Sequence, residues 1–291
     1  MKGNEKIIMT HKKFLILLSA LLISFMLMGC AFAADVDLGE GYHVPQGFSS
    51  ILITSSDGTA IQNAVDNIVD GGTVFLSGDF NLKEAISIRR NLTLKGVTNA
   101  LLNRDKEVPT TFCIIKCERS NDITLENLTI IGGNKTKGGG VNISGGIVRI
   151  ISCDIHDNFS WGGGGAIYSN ADTLILTSCD IHNNKSAIIG GGIAIGGSAV
   201  MIDCNITSNE AGMSGGGLSA SKSNITMKNC TITENGASFA GTGVKIIATK
   251  LEAENCNISS NFIVKHDDKG ILIPIYSEDI SYDSDSEYIT K

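Results

Sequence analysis

Cys153-Asp-Ile-His-Asp-Asn158 is written again four times along the chain, as Cys179-Asp-Ile-His-Asn-Asn184, Cys204-Asn-Ile-Thr-Ser-Asn209, Cys230-Thr-Ile-Thr-Glu-Asn235 and Cys256-Asn-Ile-Ser-Ser-Asn261. The cysteines stand 26, 25, 26 and 26 residues apart. Between them a glycine-rich stretch ends, in the same period, at Val141, Ile167, Ile193, Leu218 and Val244. Two interleaved series in one register identify stacked structural repeats.

The columns around the cysteine give the path of one repeat. Five residues before it stand Val148, Leu174, Ala199, Ile225 and Leu251, and three before it Ile150, Leu176, Met201, Met227 and Ala253. Two apolar columns two residues apart form one face of a strand. Ser152, Ser178, Asp203, Asn229 and Asn255 come next, turn formers of which Asn and Asp tolerate the left-handed backbone of a sharp corner. Beyond the corner, the cysteine and an unbroken Ile column (Ile155, Ile181, Ile206, Ile232, Ile258) make a second inward pair. The Asn column (Asn158, Asn184, Asn209, Asn235, Asn261) closes that strand, and a third strand turns Ile143, Ile195, Ala220 and Ile246 inward. Helical periodicity is missing from the repeats, so successive coils must pair their strands in parallel. The expectation is an all-β, single-stranded parallel β-helix of about seven coils, with an axis of roughly 34 Å at one strand spacing each.

Ahead of the repeats, Thr59-Ala-Ile-Gln-Asn-Ala-Val-Asp-Asn-Ile-Val69 places Ile61, Val65, Ile68 and Val69 on one helical face, and Asp70-Gly71-Gly72 stops it. A helix there would shield unpaired strand edges. The organisation expected is a leader at 1–33, a linker at 34–55 and a β-helix at 56–265, with a cap helix at 59–69 and regular repeats at 138–265. Residues 266–291 are read as a lid or acidic tail, with Ile271-Leu-Ile-Pro-Ile-Tyr276 a last strand or lid and Asp283-Ser-Asp-Ser-Glu287 solvated.

The 291 residues hold 34 glycines but 3 prolines, which suits tight repeated turns rather than a Pro-rich linker. A net charge of −7 without a basic run argues against a nucleic-acid partner. Lys12 and Lys13 precede an uncharged run at 14–28, and Ala31-Phe32-Ala33 offers a cleavage site before Ala34, so the segment reads as an export signal. Two alternatives stand beside cleavage: Leu27-Met28-Gly29-Cys30 resembles a lipoprotein box in which Cys30 would be acylated, and 14–34 is long enough to stay as an anchor. Each places the repeats outside the cytoplasm, secreted or at the cell surface, with the membrane met only through this segment.

The chain resembles the right-handed parallel β-helix proteins of the pectate-lyase-like superfamily, over about residues 59–265. Within them it is most similar to polymorphic outer-membrane-protein repeats, marked by Gly-Gly-Ala-Ile and Phe-x-x-Asn. Gly164-Gly165-Ala166-Ile167 matches the first, while the second is met as Ile-x-x-Asn. The superfamily includes lyases, hydrolases, epimerases, adhesins and autotransporter passengers, so the resemblance implies architecture and leaves activity open.

Eight cysteines in an exported chain invite disulfides. Stacked on parallel strands, neighbouring Cβ atoms stay roughly 4.8 Å apart and point the same way, outside the usual range of about 3.5 to 4.5 Å, so a buried thiol ladder is expected. Such a line of thiols is no tetrahedral metal site. Cys113 and Cys117 lie too far apart on one strand to bridge each other.

Two outward sets are candidate sites. Asp154, His156, Asp157, Asp180 and His182 fall on one exposed face of two adjacent coils, where carboxylates and imidazoles could do acid/base work or hold a cation. Asp154, His156, Asp180 and His182 are the catalytic candidates, and the same columns turn to Thr and Ser on later coils. Ile151, Ile175, Val200 and Ile202 point outward on the first strand, which asks for a cover from residues 37–55 or 271–276, or for a binding partner. No cofactor or metal is assigned. Ten Asn-x-Ser/Thr triplets, among them Asn91, Asn134, Asn205 and Asn224, would matter in a host that glycosylates exported proteins.

Enzymes of this fold build clefts from long loops, and the repeats here hold 25 or 26 residues without insertion. The preferred reading is an exported, adhesin-like β-helix without catalysis, meeting a surface polysaccharide or another cell-surface protein. The alternative is a carbohydrate-active enzyme or sugar-binding module using the Asp/His face.

Overall fold

The computed structural model describes residues 31–32, 47–54, 58–118, 121–266, 272–276 and 279–291. The inward columns read from the sequence are buried: Val148, Ile150, Ile155, Leu174, Leu176 and Ile181 have no measurable exposure. Parallel pairing in strict register puts each on top of its counterpart, Val148 on Leu174 and Ile155 on Ile181. Burying a side chain of this size is worth about 1.5–3 kcal/mol, and one such group recurs per column per coil. The result is a parallel β-helix.

Each regular coil visits three faces. Face B carries the short strands Val141–Ile143, Ile167–Ser169, Ile193–Ile195, Leu218–Ser221 and Val244–Ile247. Face A carries two segments per coil, such as Ile147–Ile151 followed by Asp154–His156. Face C carries Phe159–Gly163, Lys185–Ser186, Glu210–Ala211 and Gly236–Ala237. Face C is an addition to the three strands expected. It is only two residues long on most coils, and its inward residues are Ser160, Ser186, Ala211 and Ala237, too small to register as an apolar column. Eight face B strands among the described residues give about eight turns, one more than expected.

Three left-handed corners close every coil. Ser152, Ser178, Asp203, Asn229 and Asn255 have φ between 51 and 53°. Asp157, Asn183, Ser208, Glu234 and Ser260 make the second corner at 53–59°, and Gly164, Gly190, Gly215 and Gly241 the third at 56–66°. Only the third requires glycine. A Cβ on Gly164 or Gly190 would stand 2.0 or 2.3 Å from the carbonyl oxygen of Ile167 or Ile193.

The Asn column does more than end a strand. Asn158, Asn184, Asn209, Asn235 and Asn261 are at most 2% exposed and form a continuous internal ladder. Each Oδ1 from Asn184 to Asn261 accepts the backbone N–H and the Nδ2 of the asparagine one coil earlier, at 2.9–3.1 Å. Each Nδ2 also donates to an isoleucine carbonyl of the preceding coil, Ile130 O for Asn158 and Ile155 O for Asn184. Asp279 Oδ1 terminates the ladder by accepting from Asn261 N and Nδ2.

The cysteines form the thiol ladder expected. Cys113, Cys117, Cys153, Cys179, Cys204, Cys230 and Cys256 are all free, and only Cys256 is more than marginally exposed. In the repeat column, Cys153, Cys179, Cys204, Cys230 and Cys256, the S–H groups donate to backbone carbonyls, Cys179 to Ile150 O at 3.2 Å.

The ends differ from the expectation. Helix α1 (Gly58–Asn67) buries Ala60, Ile61, Ala64 and Val65, while Val69 lies past its end and is half-buried. It covers the first face B strand, Ile86–Ile88, and Gln62 works there as a surrogate strand, accepting from Ser87 N at 2.8 Å and donating to Ser87 O at 3.1 Å. Ser50–Ile53, expected in a linker, is a buried strand paired with Gly72–Leu76, because its four residues continue the face A stack. Ala31–Phe32 pairs in turn with Ile51 and Leu52. The rest of the leader, Cys30 included, and residues 33–46 lie outside the described residues. No described helix is long and apolar enough to cross a membrane.

At the other end, Leu272–Tyr276 runs antiparallel to Phe262–His266 on face C. The chain then resumes the coil: Ile280–Tyr282 pairs with face B and Glu287–Thr290 with face A. The acidic stretch is therefore a turn within a last coil, not a free tail. Asp283 accepts from the Ser286 hydroxyl and from the Ala248 backbone N–H, which together draw its carboxyl below the usual range.

Candidate functional site on two adjacent coils

His156 and His182 are register partners, as are Asp154 and Asp180. Parallel pairing therefore stacks the two imidazoles, with centroids 4.7 Å apart and planes 9° from parallel. Asp154, two residues before His156 on the same face, reaches diagonally to the next coil, and its Oδ1 lies 3.0 Å from His182 Nε2. Its Oδ2 lies 3.9 Å from His156 Nε2. Asp154, His156 and His182 thus converge, all partly exposed.

The other ring nitrogens are held by the corner residues that follow each histidine. Asp157 Oδ2 lies 2.8 Å from His156 Nδ1, and Asn183 Nδ2 lies 3.0 Å from His182 Nδ1. The left-handed conformation that makes Asp and Asn good corner residues also turns their side chains back onto the preceding ring. Asp180 does not join the cluster: it is exposed and accepts from Asn205 Nδ2 at 2.8 Å, one coil further on. Of the candidates read from the sequence, three come together and Asp180 turns away.

Among the described residues, every ring nitrogen of the pair faces a carboxylate or an amide, and none is hydrogen-bonded to a hydroxyl. An imidazole arranged to activate a serine or threonine needs that contact. The set is suited to holding a cation or a polar ligand rather than to raising a nucleophile. Two shallow depressions, of about 400 and 410 Å³, are lined by Phe75, Lys95 and Glu126 on face A and by Asp66, Ile68 and Arg90 near the cap. Neither includes a residue of the Asp/His face.

The outward aliphatic set is smaller than its sequence suggested. Ile175 stacks on Val200 between Arg149 and Thr226, and Ile151 is separated from Ile202 by Thr177. All four are half-buried. Of the covers expected for them, Ser50–Ile53 lies within the stack and Leu272–Tyr276 on face C, while residues 37–46 lie outside the described residues.

A more exposed apolar set emerges at the edge of face C. Trp161 is 59% exposed, Ile188 43%, Met213 49% and Phe239 71%. Ile188, Met213 and Phe239 follow one another on consecutive coils, with Met213 N donating to Ile188 O and Phe239 N to Met213 O. Trp161 stands one coil earlier, set edge-on against Phe159 at 4.8 Å. Ile188, Met213 and Phe239 stand at one offset, nine residues after the repeat cysteine and two before the corner glycine, with Trp161 one position earlier in its coil; sequence reading missed the column because it followed the strands and passed over the glycine-rich corners. The usable signal was a large apolar residue two or three positions before each corner glycine.

The family model described as right handed beta helix region matches residues 113–281. No curated protein matches the chain. Among solved structures, the pectin methylesterase from Yersinia enterocolitica is similar at 12% identity and a TM-score of 0.42, over 80% of this chain and 90% of that one.

Proposed function

This chain belongs to the right-handed β-helix family, and from that premise we propose that it is an exported, surface-presented β-helix with an adhesin-like binding role and no catalysis of its own. The observation that carries the reading is the constancy of the coil path. From Val141 to Asn261 the same three corners recur without an inserted loop, so the Asp/His face stays on an open wall where water is not excluded. The export half of the reading rests on Lys12, Lys13, the apolar run after them and Ala31-Phe32-Ala33.

The contact surface assigned is the ridge of Trp161, Ile188, Met213 and Phe239. Large apolar groups left exposed on four consecutive coils mark an interaction surface rather than a solvated wall. The Trp161 and Phe239 rings present flat apolar faces on which sugar rings stack, so the occupant proposed is a surface polysaccharide. Glycan-array or affinity-electrophoresis binding of the purified chain tests this. Retardation lost in Trp161→Ala and Phe239→Ala is the expected result, and retardation equal in both variants and the parent sinks the assignment.

The second reading, a carbohydrate-active enzyme, is favoured by one observation, the 3.0 Å approach of Asp154 to His182. Against it, Arg149, the arginine of the regular coils, is engaged with Asp122 rather than with that pair.

A further inference from the structure

We infer that Asp154, His156 and His182 form a surface site for a divalent transition metal of the zinc, cobalt or nickel class, clamped between two adjacent coils. The three side chains offer two imidazole Nε2 atoms and one carboxylate oxygen, all within 4.8 Å of one another. Donors that share a four-coordinate ion at about 2.0–2.1 Å stand about 3.3 Å apart. The His182–Asp154 separation of 3.0 Å is already there, and the 3.9 Å between His156 and Asp154 closes by rotation of exposed side chains. Two nitrogens and one oxygen are a borderline donor set, which suits these metals over calcium or magnesium with their all-oxygen shells. Water completes the coordination from the open side.

The surroundings of the rings are those of metal ligands. A ligating histidine donates its other N–H to a carboxylate or carbonyl, which fixes the tautomer and leaves the lone pair facing the metal. Asp157 stands ready to accept from His156 Nδ1. Asn183 does the same for His182 when its amide turns to present Oδ1, a rotation that exchanges two atoms of nearly equal size. The set is confined to two coils. The register partners of His156 and His182 on the flanking coils are Ile131 and Thr207, and those of Asp154 and Asp180 are Thr129 and Asn205. A wall selected only for solubility has no need of two stacked imidazoles with a carboxylate diagonal to both. The sequence assigned no metal here because it places residues on a face without giving the directions of ring nitrogens.

The test is titration of the purified chain, free of any polyhistidine tag, with Co²⁺ followed by visible absorption and with Zn²⁺ by calorimetry. One metal per chain is expected, uncontested by excess Ca²⁺. His156→Thr and His182→Thr install the residue that Thr207 and Thr233 already place on later coils, so the fold has a precedent for both. Each should weaken binding at least about tenfold, and Asp157→Ala should weaken it by about tenfold through the ring it orients. Asp180→Asn should leave it unchanged. Undiminished binding in both threonine variants, or no binding by the parent chain at millimolar metal, overturns the site.

Discussion

Asn184 Nδ2 donates to Asn209 Oδ1 at 3.0 Å inside the β-helix, and the same oxygen accepts Asn184 N–H at 3.0 Å. One amide thus satisfies two donors of the neighbouring coil while its own Nδ2 serves Ile181 O and Asn235 Oδ1. A polar column in an apolar interior is stable only if every member is satisfied.

Replacing Asn209 by Leu keeps the volume, strands the Asn184 backbone N–H, and removes one hydrogen bond each from Asn184 Nδ2 (which keeps the Ile155 and His182 carbonyls), the Ile181 carbonyl and Asn235 Oδ1. Each unsatisfied buried group costs about 1–3 kcal/mol. A loss of about 3 kcal/mol or more in urea unfolding is therefore expected, against less than about 1 kcal/mol for exposed Asn205→Ala.

Corner residues predict effects of opposite sign. Gly190→Ala must hold φ near +60° and place a Cβ 2.3 Å from Ile193 O, so it should destabilise by about 2 kcal/mol or more. Ser178→Gly relieves the left-handed cost at φ 51°, and the midpoint of unfolding should stay level or rise. Thermal or urea unfolding of the pair checks the order.

The thiol ladder predicts an alkaline limit. Burial pushes the Cys153 thiol up to about 12, and the hydrogen bond with Cys179, with burial, does the same for Cys204. The folded state holds these protons above the ordinary 9.0, so stability is complete below pH 9 and falls from there toward pH 12 as the unfolded thiols ionise. The slope is about 1.4 kcal/mol per pH unit for each such thiol. Urea midpoints at pH 7, 9 and 10.5 read it directly. Thiol reagents should leave Cys153, Cys179, Cys204 and Cys230 unmodified in the native chain and label them once it is unfolded.

Much of this fold was legible because its physics is local and repeated. An apolar residue at fixed offsets from Cys153, Cys179, Cys204, Cys230 and Cys256 can only be an inward column, and the residue before each cysteine can only be a corner. The internal role of Asn158 and Asn184 was not legible. A polar residue at a strand end reads as solvated, and its burial depends on partners 25 or 26 residues away. That burial also removes both from the glycosylation triplets a host enzyme could reach. The last coil was hidden for another reason: the antiparallel excursion at Leu272–Tyr276 breaks the period, so Ile280–Tyr282 and Glu287–Thr290 no longer fall in register with the repeats. At the Asp/His face the sequence placed the side chains on one wall, whereas the turn of Asp180 toward Asn205 is a rotamer choice that no spacing encodes.

The central claim, binding without catalysis, is tested most directly by incubating the purified chain with a panel of acidic polysaccharides, with and without Zn²⁺, while following unsaturated products, reducing ends and released methanol. The account predicts no turnover, with retention of at least one polysaccharide by the parent chain. Turnover that disappears in Asp154→Ala and His182→Ala would contradict it.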